Sequence, residues 1–304
     1  MPPSDRYRAQ VALLVEVLPF VAAEEDFALK GGTAINLFLR DMPRLSVDID
    51  LAYLRVADRA ASLAAIDAAM KRLAGAIRGG LRGVRVNEVE NVAERIVTKI
   101  TVQRPGAQIK IEVTPVLRGC VFAPQTRSVS ARVEEEFGFA ETQVVSFADL
   151  YGGKIMAALD RQHPRDLFDV RDLLANEGIT DELRQAFIVY LISHGRPIGE
   201  VLRSPQKNIA AAFAGEFAGM TTVDVPLDAL IAAREALVAD IVWQMPDAHR
   251  RFLLGFKQGA PDWTLLGVPG AAALPAVRWK QQNLDKLAPD MRARLAREIE
   301  ELLF

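Results

Sequence analysis

The chain has 304 residues, half of them hydrophobic and a quarter charged, with a formal net charge of −2. This composition is typical of a globular protein and excludes a fibrous or strongly charged disordered chain. Because the net charge is close to zero, a nucleic acid would have to bind a local basic patch rather than a generally positive surface. The single cysteine, Cys120, excludes disulfide bonds within the chain and favours a cytoplasmic protein.

The first predicted element is an amphipathic helix that begins near Ser4, as its N-cap, and ends near Pro19. Its apolar stretch is interrupted by Glu16 and is too short to span a membrane. No basic region with a cleavage site precedes it. We therefore expect no membrane partner.

A change of hydrophobic period near residue 145 predicts two domains. Before that point, alternation of apolar and polar residues predicts strands, with an Ala-rich helix over 58–78. The predicted strands are FALK, SVDIDLAYL, RVNEVENV, ERIVTKITVQ and QIKIEVTPV. A helix is predicted to open at Thr33, and from Ser146 onward a period of 3.6 residues predicts further helices. We thus predict an α+β domain with a mixed sheet over residues 1–145, followed by a mostly helical domain over residues 146–304.

Two aspartates, Asp48 and Asp50, lie one residue apart in the second predicted strand. Since side chains alternate between the faces of a strand, both carboxylates project from one face while Ile49 packs on the other. In QIKIEVT, Glu112 also lies on the polar face, so it joins the aspartates if the two strands are neighbours. Three carboxylates on one face suit Mg²⁺ or Mn²⁺, which prefer hard oxygen ligands.

An ordinary amphipathic strand is the alternative interpretation of the aspartate pair. Acidic residues with the same spacing occur elsewhere, at Glu24/Asp26, Glu88/Glu90, Glu134/Glu136 and Glu298/Glu300. The spacing alone is therefore common, and only the neighbouring motifs give it significance.

A glycine pair in the stretch KGGT precedes the aspartates. Gly31 and Gly32 permit positive φ and a close approach of the backbone to a ligand. The free N–H groups of the following helix, with Thr33 at its start, favour a phosphate. Arg44 and Ser46, just before the aspartates, add a positive charge and a hydroxyl donor for the same phosphates.

A second group of candidates lies on two predicted helices after residue 146. Lys154 follows two glycines in an apolar helix, which suggests a lysine on a closely approached surface and hence a phosphate ligand. A new helix is predicted to begin near Pro164 and carries Arg165, a further candidate phosphate contact, with Asp166 and Asp169. The alternative is a solvated helix with ion pairs along its polar face.

The order of Gly–Gly–Thr, a helix, Arg-x-Ser-x-Asp-x-Asp and a later carboxylate resembles the nucleotidyltransferase superfamily with the polymerase-β-like palm. More specifically, GGTA, RLSVDIDL, the Lys154 helix, RDLFDV, GAPDWTLL and LPAVRWKQQNL resemble the AbiEii/AbiGii toxin family, which includes the MenT-type toxins. The resemblance covers most of the chain, from Phe27 to Leu284. Two departures are mild: the superfamily more often has Gly–Ser at Gly31–Gly32, and Asp at the position of Glu112.

This resemblance implies a metal-dependent enzyme that transfers a nucleoside monophosphate from an NTP to a hydroxyl group and releases pyrophosphate. In that enzyme Asp48 and Asp50 would be metal ligands and Lys154 would contact the triphosphate. The strand position of Glu112 suggests a third metal ligand, and one of Asp166 and Asp169 would be a further acid. The implied partners are tRNA, modified at its 3′ end, and a separately encoded antitoxin protein.

Two other functions remain open: a catalytically inactive module that binds NTP or a partner, and a small-molecule nucleotidyltransferase of the aminoglycoside-modifying type. The candidate basic patches for a nucleic acid are Lys71, Arg72, Arg78, Arg82 and Arg85, and, near the end of the chain, Arg278, Lys280 and Lys286. The three tryptophans, Trp243, Trp263 and Trp279, are expected in the core or at a domain interface rather than as surfaces for base stacking.

Overall fold

The computed structural model describes residues 5–304, so the predicted N-cap Ser4 lies outside the described residues. The chain folds into two compact units. The first unit runs to Ser146 and also takes in Gly219–Asp224. The second unit comprises Phe147–Ala218 and Val225–Phe304.

The first helix, α1, spans Asp5–Ala22 and continues past Pro19, where the sequence pattern predicts its end. A proline inside a helix removes one backbone hydrogen bond and costs about 3 kcal/mol. Leu18 and Val21 flank the proline and are only 0% and 1% exposed. The burial of this apolar face therefore stabilises the helical conformation after Pro19, as far as Ala22.

A mixed seven-stranded sheet forms the core of the first unit. Its strands are β1 (Phe27–Lys30), β2 (Asp48–Tyr53), β3 (Arg85–Asn91), β4 (Ile96–Arg104), β5 (Ala107–Arg118), β6 (Gln125–Ser128) and β7 (Glu141–Val144). Their order is β3-β4-β5-β2-β1-β7-β6. The pairs β2–β5 and β1–β7 are parallel and the other neighbours are antiparallel. Strands β1 to β5 correspond to the predicted ones, whereas the short β6 and β7 are additional.

Three helices accompany α1 in this unit: α2 (Gly31–Ala34), α3 (Arg59–Gly80) and α4 (Ala131–Phe137). The helix predicted to open at Thr33 begins instead at Gly31, which adopts a positive φ of 77° directly after β1, and it continues as a π-helical segment over Ile35–Leu39. Helix α3 begins where the side chain of Asp58 accepts a hydrogen bond from the Ala61 N–H, at 2.9 Å. Strand β1 therefore leads directly into α2, without the separate Gly–Gly turn that the sequence predicts.

The chain just before β2 pairs with a segment from much later in the sequence. The N–H of Leu45 donates to the carbonyl of Met220 at 2.9 Å, and the N–H of Thr222 donates to the carbonyl of Pro43 at 3.0 Å. The segment Gly219–Asp224 therefore supports the approach to the aspartate strand.

Within the described residues, the regular elements of the second unit are all helical. They are α5 (Phe147–Asp160), α6 (Pro164–Asn176), α7 (Asp181–Ser193), α8 (Ile198–Leu202), α9 (Ala210–Glu216), α10 (Leu227–Val238), α11 (Asp247–Gln258), α12 (Pro275–Asp285) and α13 (Pro289–Leu303). Helix α5 packs against α6 and α7, and α7 also packs against α12. The predicted α+β fold, with a mixed sheet followed by helices, is confirmed. None of the helices among residues 5–304 combines the length and the hydropathy that a membrane span requires.

Candidate active site

A row of charged side chains crosses four adjacent strands of the sheet. Lys30 on β1 lies opposite Asp50 on β2, and Asp50 lies opposite Glu112 on β5. Lys99 on β4 lies opposite Glu112, and its Nζ is 2.6 Å from Glu112 Oε1. Since directly opposed residues share one face of a sheet, these four side chains project from the same side. The strands of Asp50 and Glu112 are thus neighbours, and a lysine flanks the two acids at each end.

Asp48 projects from the same face of β2, and Lys110 of β5 lies opposite it. Ile49 and Leu51, which alternate with the aspartates, are fully buried at 0% exposure. Asp48 and Asp50 are themselves partly exposed. Water and neighbouring lysines together therefore offset the repulsion between the carboxylates.

Lys30 is a member of this site that the sequence analysis does not identify. Burial lowers the pKa of its ammonium group, and the negative charge of Asp50 acts in the opposite direction. The feature of the sequence that could have identified Lys30 is its position as the polar last residue of the apolar stretch FALK, directly before the glycine pair. Only the pairing of β1 with β2 places it beside Asp50.

The chemistry of the donors suits a hard divalent cation at Asp48 and Asp50, although the full three-carboxylate cluster is not assembled. Among residues 5–304, no three His, Cys, Asp or Glu side chains are gathered as a metal-binding group. The carboxylate of Glu112 is engaged by Lys99. Because Mg²⁺ usually takes one or two protein carboxylates together with substrate phosphates and water, a pair of aspartates on one strand fits it.

The glycine pair brings the backbone against the aspartate strand. A β-carbon at Gly31 would overlap Oδ2 of Asp50. A β-carbon at Gly32 would lie 2.8 Å from Nη2 of Arg44 and 2.9 Å from Oγ of Ser46. Gly31 also has a positive φ of 77°, which favours glycine there, whereas a side chain at position 32 would have to displace the ends of the Arg44 and Ser46 side chains. The turn thus brings these five predicted site residues together.

Buried Thr33 links the glycine turn to strand β2 by hydrogen bonding. Its side chain is fully buried, and its Oγ1 donates to the carbonyl of Asp48 at 2.5 Å and lies 3.1 Å from Oγ of Ser46. The N–H of Ser46 in turn donates to the hydroxyl of Tyr7 at 3.2 Å. Thr33 and Tyr7 therefore fix the backbone around Ser46 and Asp48.

Arg44 and the buried Asn36 support the same turn. The Nδ2 of Asn36 donates to the carbonyl of Gly32 at 2.8 Å, and its Oδ1 accepts from the N–H of Arg44 at 3.3 Å. The guanidinium of Arg44 is 3% exposed, and its Nη1 donates to the carbonyl of Leu45 at 2.9 Å. The sequence carries no signal for Asn36 or Tyr7, because Asn36 acts through two hydrogen bonds to the turn and to Arg44, and Tyr7 through a contact 39 residues away, which only the folded chain brings about.

In the second unit, the predicted residues of α5 and α6 form one buried ionic group. The Nζ of Lys154 is 2.8 Å from Oδ1 of Asp166 and 3.0 Å from Oδ2 of Asp169. The side chain of Lys154 is 7% exposed, and those of the two aspartates are 1% exposed. The alternative of a solvated ionic helix face therefore does not hold for these three side chains.

Asp166 has a second cationic partner. Besides Lys154, Arg161 donates to it, from Nε to Oδ2 at 2.5 Å and from Nη2 to Oδ1 at 3.0 Å. Burial raises the pKa of Asp166, but the charge of Lys154 and the hydrogen bonds from Arg161 outweigh this and hold the pKa well below its usual range. Asp166 is therefore a fixed, ionised anchor for Lys154.

The local sequence explains how α5 and α6 present these groups. Gly152 lets α7 approach α5 closely, because a β-carbon there would lie 3.0 Å from the backbone nitrogen of Phe187. Helix α6 begins with Pro164 after His163, whose Nδ1 accepts from the N–H of Arg165 at 3.1 Å. Arg165 is partly exposed at this first turn.

The fold of the chain is similar to that of a nucleotidyltransferase of known structure. The solved structure of MenT4, a nucleotidyltransferase toxin from Mycobacterium tuberculosis H37Rv, is similar, with a TM-score of 0.62 and 15% sequence identity. The similarity covers 95% of this chain and 93% of MenT4, and at this identity it shows the fold. No curated protein matches the sequence.

The family is shown by a sequence profile. The profile of the family described as "Nucleotidyl transferase AbiEii toxin, Type IV TA system" matches residues 12–283. The chain therefore belongs to the AbiEii family of nucleotidyltransferase toxins. Membership confirms the resemblance seen in the sequence, and it implies an NTP substrate and an antitoxin partner.

Proposed function

We propose that the protein transfers a nucleoside monophosphate from an NTP to a hydroxyl group at the 3′ end of tRNA, with the help of Mg²⁺ or Mn²⁺. In this reaction the acceptor oxygen bonds to the α-phosphorus and gives up its proton. The bond from the α-phosphorus to the bridging oxygen breaks, and pyrophosphate leaves. The observation that carries the proposal is the packing of the Gly31 backbone against the carboxylate of Asp50, on the strand face that Asp48 shares.

We assign the metal to Asp48 and Asp50. A divalent cation held there would offset the negative charge of the phosphates and of the transition state. Glu112 is in register with Asp50 and is proposed as a third ligand. To serve in this way, its carboxylate has to exchange the ion pair with Lys99 for the metal.

The phosphate contacts are assigned to two groups of residues. In the first unit, the backbone of Gly31, Gly32 and Thr33 and the side chain of Ser46 offer N–H and O–H donors, and the buried guanidinium of Arg44 adds positive charge. In the second unit, Lys154 is proposed to contact a phosphate of the NTP, with Arg165 as a further contact.

The two acids of α6 receive different roles. Both oxygens of Asp166 accept N–H groups of Lys154 and Arg161, and its low pKa makes it a poor base. We therefore assign Asp166 to positioning Lys154. Asp169 is the carboxylate that we assign to the reaction itself, as the acceptor of the proton from the attacking hydroxyl.

The test is label transfer from each of the four α-³²P-labelled NTPs to total tRNA in the presence of Mg²⁺ or Mn²⁺. We expect one or more nucleotides to be incorporated at the tRNA 3′ end. Incorporation should be lost in Asp50→Asn and kept in Glu90→Gln, a matched exposed acid in another acidic pair. Failure of the wild-type protein to label tRNA with any NTP would contradict the proposed acceptor, and an active Asp50→Asn would contradict the metal assignment.

A further inference from the structure

Two of the three tryptophans are exposed, contrary to the expectation of core positions. Trp279 is 57% exposed and Trp243 is 61% exposed, whereas Trp263 packs edge-on against Phe252. A single exposed hydrophobic side chain is ordinary on a protein surface, so only its surroundings can point to a partner. Trp279 differs from Trp243 in its surroundings, because it lies within one of the two candidate basic patches.

Three cations of the first patch lie on α3 and are neutralised within the protein. Lys71 pairs with Asp67 at 2.8 Å, Arg72 pairs with Glu24 at 2.7 Å, and Arg78 pairs with Glu88 at 2.9 Å. Cations that already face carboxylates offer little net charge to a polyanion. The part of the patch on α3 is therefore a poor candidate for nucleic-acid binding, and within the patch only Arg82 and Arg85, which follow that helix, face no carboxylate within 4.0 Å among residues 5–304.

The second patch, on α12, keeps its positive charge. Among residues 5–304, no carboxylate lies within 4.0 Å of the side-chain nitrogens of Arg278, Lys280 or Lys286. Lys280 places its Nζ 5.3 Å from the centre of the Trp279 ring. Lys257 of α11 is close to Lys280. Burial and the positive charge of Lys280 both lower the pKa of Lys257. These cations form a positive surface on a chain whose net charge is −2.

Helix geometry explains why Trp279 faces outward. Ala276, Val277 and Leu284 are buried and form the apolar side of α12, which packs against α7. Positions 278, 279, 282 and 286 are spaced by three and four residues, so they share the opposite, exposed side. Lys280 lies on the buried side, four residues from Ala276 and from Leu284, and burial lowers its pKa, but its Nζ lies beside the Trp279 ring. We call Arg278, Trp279, Gln282 and Lys286, together with the Nζ of Lys280, the α12 face.

We propose that the α12 face binds RNA, with the cations on backbone phosphates and an unpaired base stacked on Trp279. Cations free of carboxylates favour a polyanion, and an aromatic ring among them favours the flat face of a base. Apart from the single indole, the exposed side of α12 carries only polar and charged side chains, with Asp285 as an acid beside the cations, which argues against a lipid surface or an apolar protein partner. The inference rests on the proposed function for naming RNA as the acceptor.

The experiment measures binding of fluorescently labelled total tRNA, and of a single-stranded RNA 20-mer, by anisotropy over a range of salt. Base–aromatic stacking is worth roughly 1–3 kcal/mol, so Trp279→Ala should weaken binding by roughly five- to 150-fold. Trp279→Phe should restore most of the affinity. The double variant Arg278→Gln/Lys286→Gln should reduce the slope of log affinity against log salt by about 1.4, that is, by about 0.7 for each phosphate contact.

Two matched controls come from the same chain. Trp243→Ala removes an equally exposed indole, and Lys71→Gln/Arg72→Gln removes two cations of the neutralised part of the first patch. Both should leave RNA affinity within about twofold of wild type, because they remove no unpaired cation beside an aromatic ring. Thermal unfolding of every variant checks that it is folded.

The outcomes separate this inference from the proposed function. The inference is overturned if wild type binds neither RNA, or if Trp279→Ala and the double variant bind as wild type does. It is also overturned if the controls weaken binding as much as the α12 variants do. If wild type binds RNA through the α12 face but transfers no nucleotide, the inference stands and the proposed function fails. If transfer to tRNA occurs with an unchanged KM for tRNA in Trp279→Ala, the function stands and the inference fails.

Discussion

The carboxylate of Asp50 occupies the space that a side chain at Gly31 would need. The glycine turn and the aspartate strand are therefore one structure, although 18 residues of sequence, 32–49, lie between them. Any residue with a β-carbon at position 31 would also have to adopt a φ of 77°. A substitution at position 31 therefore tests whether the site depends on the close approach of this backbone to Asp50.

Gly31→Ala should lower the free energy of unfolding by more than about 1 kcal/mol, because alanine is strained at positive φ. It should also move Asp50 and reduce nucleotide transfer. The matched control is Gly75→Ala in α3, where a β-carbon meets nothing within 4 Å. That change should raise stability by about 0.5–1 kcal/mol through helix propensity. Urea denaturation measures both, and equal stability of the two variants would contradict the structural account of the turn.

Asp166→Asn should destabilise the protein by up to about 3 kcal/mol at pH 7, because the buried ammonium of Lys154 loses its charged partner Asp166 while it keeps Asp169. The pKa of Asp166 is lowered in the folded state, so its contribution is present above the unfolded pKa of about 3.9 and is lost as the pH falls below it. Wild type should therefore lose stability between about pH 4 and pH 2 more steeply than the variant. Denaturation midpoints across this range measure the difference.

The control for that prediction is Asp172→Asn on the same helix, which breaks the more exposed pair with Arg171. It should cost at most about 1 kcal/mol and leave the acid sensitivity in place. A wild-type slope in Asp166→Asn would show that Asp166 does not have a depressed pKa.

Tyr7→Phe removes the acceptor of the Ser46 N–H and should cost about 1 kcal/mol of stability. Since Ser46 is a proposed phosphate contact, the KM for NTP should rise while kcat changes little. Tyr190→Phe is the matched control, because that hydroxyl donates to Asp149 in the second unit, at 3.2 Å. Steady-state kinetics at varied NTP concentration should show no change of KM in the control. An unchanged KM in Tyr7→Phe would contradict the assignment of Ser46 as a phosphate contact.

Lys99→Met tests whether Glu112 serves the metal. The ion pair between Lys99 and Glu112 is partly exposed and worth up to about 1 kcal/mol, so its removal should lower the half-saturating Mg²⁺ concentration by up to about fivefold. Lys71→Met, which frees Asp67 on α3, should leave that concentration unchanged. Thermal shift in the presence of NTP and increasing Mg²⁺ measures it. An unchanged value in Lys99→Met, with loss of the Mg²⁺ effect in Asp50→Asn, would exclude Glu112 as a ligand.

The apolar run FALK predicts the short β1, and periodicity predicts strands β2 to β5, which are six residues or longer and alternate apolar and polar residues. It misses β6 and β7, which have four residues each, and β6 consists of the polar sequence Gln-Thr-Arg-Ser. It also ends α1 at Pro19, since local propensity does not include the burial that holds the last turn.

The candidate site is predictable as two lists of residues but not as a set of contacts. Alternation places Asp50 and Glu112 on polar faces, whereas the flanking lysines follow from strand order and register, which the pattern does not contain. Likewise, Lys154 and Asp166 are singled out by sequence, but their ion pair depends on the packing of α5 against α6. The outward face of Trp279 is equally a result of which side of α12 meets α7.

The return of Gly219–Asp224 to the first unit has a consequence for biosynthesis. A ribosome must translate past Thr222 before Pro43 and Leu45 acquire their backbone partners. A nascent or prematurely terminated polypeptide that ends near residue 146 thus lacks the brace on the aspartate strand.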